Sequence, residues 1–234
     1  LLMTMAGLSM IFASCGGGQK PAGEGTVVTD SVPSDFKYEV DAFADLEILR
    51  YYVPGFNQLD LKQKELVYYL SMAAIEGRDI LFDQNNRYNL AIRRTLEAIY
   101  ENYKGDKESK DYKEFEIYLK RVWFSNGIHH HYGQEKFLPG FSKAFFAKEV
   151  KELPISRVPK MESQTVEQFI NMLTPVMFDP KVYAKKVNQE SGVDLIATSA
   201  NNYYGEGVTQ KDVQDFYGAL CDTSDKTPVS HGLN

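Results

Sequence analysis

Apolar residues recur three and four positions apart over most of the span from Asp41 to Leu220, and proline, glycine or asparagine closes most of these stretches. That period gathers the apolar side chains on one face of a helix, whereas a half-buried strand needs strict alternation. The spacing predicts a helix over Asp41–Val53, carrying Phe43, Leu46, Leu49 and Val53 and stopped by Pro54-Gly55. Asp60 is placed to cap a second helix with Leu66, Leu70 and Ala73 on its stripe, ending at Gly77. Asn89–Tyr103 repeats Leu96, Ile99 and Tyr103 ahead of Gly105. Lys110–Phe124 sets Phe115, Tyr118, Leu119 and Val122 on one stripe, and Asn126-Gly127 is its C-terminal stop. A shorter helix is expected over Phe141–Val150. Thr165-Val166-Glu167-Gln168 is a capping-box pattern ahead of Phe169, Ile170, Leu173 and Met177, with Pro175 expected to kink the end. Thr209 is an N-cap stapled by Val208 and Val213, with Phe216, Tyr217 and Leu220 on the expected buried face. Only Val193–Thr198 reads as a short strand, and no internal repeat is visible. The expected fold class is mainly α.

The chain has 234 residues, 43% of them hydrophobic and 25% charged, the proportions of an ordinary globular protein. Its net charge of −6 and lack of any basic block exclude the electrostatic footprint of a nucleic-acid binder. Two cysteines, Cys15 and Cys221, cannot build a disulfide framework. Residues 1–14 form an apolar run of signal-peptide length, too short to span a bilayer. The run starts at Leu1 with no charged leader, the first charge being Lys20, so a few basic residues are expected to precede it. It ends in Phe12-Ala13-Ser14-Cys15-Gly16, which resembles a bacterial lipobox with Phe12 in the place of the usual leucine. On that reading Cys15 is acylated and anchors the protein to a membrane; an ordinary cleaved signal with a chance cysteine is the alternative. The expectation is an exported bacterial lipoprotein of the cell envelope, periplasmic or outer-membrane. Residues 15–35 are then the lipidated cysteine and a Gly-rich tether, and residues 36–234 the folded part. Cys221 remains as a lone thiol, read as a small apolar residue near a helix end. The final Val229-Ser230-His231-Gly232-Leu233-Asn234 carries no capped helix, and the expectation is a fragment of a longer protein, incomplete at its C-terminal end.

Catalytic motifs are scarce. None of the four histidines lies in His-Glu-x-x-His, and no Walker loop or Gly-x-Ser-x-Gly elbow occurs. Gly205-Glu206-Gly207 lacks the third glycine and the leading strand of a dinucleotide fingerprint. Asp83-Gln84-Asn85-Asn86-Arg87 starts like a calcium loop, but Arg87 occupies a ligand position, so it reads as the turn between two helices. The unusual cluster is Ser125-Asn126-Gly127-Ile128-His129-His130-His131-Tyr132-Gly133. Neighbouring side chains diverge in any regular element, so three successive histidines cannot all hold one ion. The loop is open to three readings: histidines bonded to backbone and water, contact with substrate, or two histidines on a metal completed from elsewhere. Ser199-Ala200-Asn201-Asn202-Tyr203-Tyr204-Gly205 offers amides and aromatic faces suited to an extended peptide, or is an ordinary capped loop. Asn126, His129, His130, His131, Tyr132, Asn201, Asn202 and Tyr203 are therefore the candidate substrate-cleft residues.

Longer strings point to a family. Phe43-Ala44-Asp45-Leu46, Leu49-Arg50-Tyr51 and Val53-Pro54-Gly55-Phe56 resemble the N-terminal part of the dipeptidyl peptidase III family in its Bacteroides-type form. Gln63-Lys64-Glu65-Leu66-Val67-Tyr68-Tyr69-Leu70 and Glu76-Gly77-Arg78-Asp79-Ile80-Leu81-Phe82-Asp83-Gln84-Asn85 do so as well. Trp123-Phe124-Ser125-Asn126-Gly127-Ile128-His129-His130-His131-Tyr132 and Gly232-Leu233-Asn234 extend the resemblance, which runs from about Phe36 to the end. It implies a two-lobed zinc exopeptidase that removes dipeptides from the N-terminus of oligopeptides. In that family the zinc sits on a helical upper lobe, on His-Glu-x-x-Gly-His and Glu-Glu-x-Arg/Lys-Ala-Asp. Neither motif occurs in this sequence, so no catalytic or metal residue carries over to any position here, and zinc is expected only in the intact parent. What this chain resembles is the start of the lower, mixed α/β lobe, which walls the peptide cleft. By itself the chain is expected to be inactive. The alternatives are a non-catalytic lipoprotein that binds peptides or scaffolds other proteins, and a helical solute-binding lipoprotein unrelated to peptidases.

Overall fold

The computed structural model describes residues 31–221, together with Ser224 and Lys226. Cys15, the apolar run 1–14 and most of the tether lie outside the described residues. The described chain is mainly helical, with one small two-stranded sheet among the described residues.

That sheet is where the helical periodicity misleads. In place of a helix over Asp41–Val53, β1 (Glu39–Phe43) and β2 (Leu46–Leu49) pair as an antiparallel hairpin with Phe43 opposite Leu46. The chain reverses at Ala44, whose φ of 51° is left-handed, so Phe43 and Leu46 become cross-strand partners rather than neighbours on a helical turn. Distant residues fasten the hairpin: Arg121 pairs with Asp45, Lys120 reaches Asp41 at 3.6 Å, and the Lys120 ammonium lies 5.5 Å from the centre of the Phe43 ring.

α1 (Leu61–Glu76) starts at Asp60, whose carboxylate accepts from the Gln63 amide while the Gln63 side chain accepts from the Asp60 amide. It stops at Gly77, and α2 (Arg78–Asn85) follows without a linker. The expected stripe of Leu66, Leu70 and Ala73 is solvent-exposed, and α1 carries no buried residue.

The core lies in the next four helices. α3 (Asn89–Asn102), α4 (Lys110–Ser125), α5 (Lys143–Glu152) and α6 (Val166–Phe178) bury Ile92, Leu96, Ile99, Phe115, Leu119, Val122, Phe146, Val150, Leu173 and Met177 around one cluster. Rings fill its middle: Phe115, Phe141 and Phe145 meet with centroids 5.8 Å apart, and Tyr103 stacks on Tyr112 at 4.4 Å. Local caps set the ends of these helices. Ser109 and Ser142 accept from the Tyr112 and Phe145 amides, and Asn126 closes α4 in the left-handed region at φ 52°. Pro175 lies inside α6, which continues to Phe178. At the start of α6, Thr165 and Gln168 form the expected capping box. Thr165→Ala is expected to cost about 1 kcal/mol, read as a lower urea midpoint at unchanged slope.

Two further expectations are corrected. Val193–Thr198 is a run of turns, because the Asp194 carboxylate accepts from the Ile196 and Ala197 amides and leaves no ladder for a strand partner. α7 (Gln210–Leu220) begins at Thr209 as expected, but Phe216 and Leu220 are exposed and only Val213 is buried. Cys221 follows α7 as an exposed free thiol.

Candidate functional site

The histidine cluster occupies a tight hairpin at the end of α4. Gly127 has φ 143°, and a Cβ there would fall 2.2 Å from the Asn89 Nδ2 atom, so only glycine fits. The buried Asn89 side chain donates to the Phe82 carbonyl at 3.0 Å and accepts from the Ile128 amide at 3.2 Å, pinning the loop to the α2–α3 corner. Asn126, a cleft candidate, serves as the cap of α4, and its carbonyl accepts from Asn85 Nδ2 at 3.0 Å. Beyond it the chain folds back with His129 opposite Lys136, Phe137 N donating to Ile128 O and His130 N to Glu135 O, each at 2.8 Å.

The three histidines point to three environments. His129 is 2% exposed, and its Nε2 donates to the Tyr183 carbonyl at 2.7 Å, which leaves Nδ1 as the unprotonated nitrogen of the neutral ring. Burial pushes its pKa down to about 4; the Tyr183 bond acts the other way, and Lys136 and Lys186 reinforce the fall. His130 turns its Nδ1 back on its own loop, accepting from the Tyr132 and Gly133 amides. His131 stacks on His130 at 4.6 Å and meets the edge of Phe124 at 5.0 Å; partial burial, then His130 and Lys186, lower its pKa. Tyr132 projects outward, 83% exposed. Of this group, Tyr132 is the exposed side chain, while His130 and His131 are half-buried.

The second patch reaches the first through one short segment, 183–186. On one side Lys136 N donates to Ala184 O at 3.0 Å and Lys186 N to Gln134 O at 2.8 Å. On the other, Ala200 N donates to Lys185 O at 3.0 Å and Asn201 N to Lys186 O at 3.1 Å. Asn202 N donates to Gln84 O at 2.8 Å, tying the patch to α2, and Tyr203 lies half-exposed over a shallow depression with Asp79, Ile80 and Asp83. The two patches are thus opposite borders of 183–186, joined to it by backbone bonds and, on the histidine side, also by the His129 ring.

Sequence reasoning missed the residues that hold this unit together. Lys136 inserts its ammonium into the end of α6, donating to the Val176, Asp179 and Val182 carbonyls. Tyr183 has the left-handed φ of 50° and ends in a ring 5.8 Å from Tyr88. Neither residue belongs to a local pattern, since their partners lie 40 or more positions away. Among the described residues no three His, Cys, Asp or Glu side chains converge on a point where an ion could sit. No protein-family model matches the chain, and no curated protein is significantly similar to it.

Proposed function

We propose that this chain is the N-terminal part of the lower lobe of a lipid-anchored zinc dipeptidyl peptidase of the dipeptidyl peptidase III type, acting on oligopeptides. In this reading it supplies lobe scaffold and cleft wall, while the zinc and its ligands belong to another part of the parent protein. The observation that carries the proposal is α1. Leu61, Tyr69 and Leu70 are 72%, 68% and 61% exposed, and Leu66, Tyr68 and Ile75 are each more than half exposed. Past its polar first turn, Leu66–Ile75 of α1 carries no charged residue and leaves its apolar side chains bare; such a stretch is stable in water only inside a larger body, so α1 calls for further polypeptide to cover it. The hairpin of β1 and β2 supports the same reading, because an isolated two-stranded sheet is at best marginal and a mixed lobe would extend it. Acylation at Cys15 supplies the anchor; among the described residues no helix is long and apolar enough to cross a membrane.

A second reading, a non-catalytic peptide-binding lipoprotein, draws on the two polar-aromatic patches that border one backbone segment of this chain. Dipeptide release from an arginine-arginine chromogenic substrate separates the two, comparing this chain with the full-length product of its locus. The expected result is zinc-dependent, chelator-sensitive release by the full-length protein and none by this chain. Silence from both would favour the binding lipoprotein, and activity from this chain alone would overturn the assignment of zinc to another part. A paired substitution refines the test. Leu66→Lys with Leu70→Lys is expected to leave the unfolding midpoint of this chain nearly unchanged, within about 0.5 kcal/mol. The same pair in the full-length protein should abolish soluble, active enzyme.

A further inference from the structure

Beside Tyr183, on the face of 183–186 turned away from the histidine hairpin, lies a cavity of about 240 Å³. Three parts of the chain wall it: Arg87 in the α2–α3 corner, Tyr183, and the loop that carries Ile196, Asn201 and Glu206. Its frame is held from outside. The buried His129 Nε2 bonds the Tyr183 carbonyl and so maintains the left-handed backbone there, a conformation a bulky aromatic residue adopts only when its surroundings enforce it. The bonds from Asn202 N to Gln84 O and from Ala200 N to Lys185 O fix the opposite wall, and the Asp194 carboxylate, accepting from the Gln210 amide at 3.0 Å, closes the loop behind it. Arg87 and Glu206 border the same cavity, yet neither forms an ion pair with another described side chain. Both lie within electrostatic range of the Tyr183 hydroxyl and act on it with opposite sign.

From this juxtaposition we infer that the cavity between Arg87, Tyr183 and Glu206 binds a small zwitterion, a free dipeptide or amino acid. Its carboxylate pairs with the Arg87 guanidinium, its ammonium with the Glu206 carboxylate, and its side chain lies against Tyr183 and Ile196. A planar guanidinium offers a carboxylate two parallel hydrogen bonds, and a carboxylate accepts from an ammonium in the same charge-assisted way. A cavity bordered by one cation and one anion offers a partner to each end of such a ligand, and the backbone bonds that fix its frame leave little ordering for binding to impose. The choice of a dipeptide rests on the peptidase reading above; recognition of a zwitterion does not.

Calorimetric titration of the 234-residue chain with unblocked Ala-Tyr tests the inference without zinc, activity or any other part of the parent. Saturable binding is expected, weakened about tenfold or more by N-acetylation and, separately, by C-amidation, the scale of a lost charge-assisted hydrogen bond. Glu206→Gln should remove the penalty for acetylation and leave that for amidation, and Arg87→Gln should do the reverse. Both side chains are exposed, so neither variant should shift the melting curve. Absence of saturable binding by a cooperatively melting chain would overturn the site, as would equal binding of the acetylated and free dipeptides. Either failure leaves the peptidase assay untouched, and an inactive full-length protein leaves this titration untouched.

Discussion

Acidification from pH 6.5 to 4 is expected to cost the fold about 3 kcal/mol through His129 alone. The folded chain holds this imidazole neutral, with a pKa pushed down from 6.5 to about 4, because it is buried and Lys136 and Lys186 are close by. The unfolded chain protonates it at its ordinary value. Above pH 6.5 both states carry the neutral ring and the full stability is present. As the pH falls through that value the unfolded state takes up a proton the folded state refuses, so stability drains away until the folded pKa is reached. Urea denaturation at pH 7, 5.5 and 4 measures the loss. His129→Gln supplies the comparison, since an amide can still donate to the Tyr183 carbonyl but cannot titrate in this range. Carboxylates held below their usual range, Asp79 and Asp212, contribute equally to both proteins and cancel in the difference. Parallel pH profiles for the two proteins would show that His129 carries no such linkage.

Replacing Lys136 by methionine is expected to destabilise the chain by about 2–3 kcal/mol, the range for losing hydrogen bonds from a charged donor. Its ammonium satisfies carbonyls at the end of α6 and just beyond, and burial holds its pKa below the usual lysine value, with Asp179 acting the other way. Methionine fills a similar volume, so the loss reports unpaired carbonyls rather than a cavity. Because Lys136 also belongs to the histidine hairpin through its bridge with His129, the damage should spread. Amide exchange at His130 and Phe137, whose bonds to Glu135 and Ile128 close the hairpin, should accelerate with the fall in global stability or ahead of it. A midpoint within about 0.5 kcal/mol of the parent chain would remove this lysine from the architecture.

How far each feature could be read from the sequence follows the distance over which its interactions act. Asp60, Thr165 and Thr209 announce their helices because each cap is satisfied by a residue three positions later. Phe43, Leu46 and Leu49 fit a helical period equally well, but a left-handed Ala44 and the bond from Arg121 to Asp45, 76 positions away, turn them into a hairpin. Phe216 and Leu220 have the spacing of a buried stripe, and nothing among the described residues covers them. In the candidate site the composition of the hairpin was visible, whereas the inward turn of His129 and the outward turn of Tyr132 were not, since the buried face is chosen by Tyr183, 54 positions on.

By itself, the sequence determined the helical class, most helix ends, and the two polar loops worth inspecting, because these depend on hydrogen bonds and apolar contacts within about one turn of helix. The tertiary structure alone decided that those loops border a single segment at 183–186, that Arg87 and Glu206 share a cavity, and that α1 lies bare. The physical reason is that backbone pairing and burial are settled by which distant surfaces compete for the same space, and no local pattern encodes the outcome of that competition.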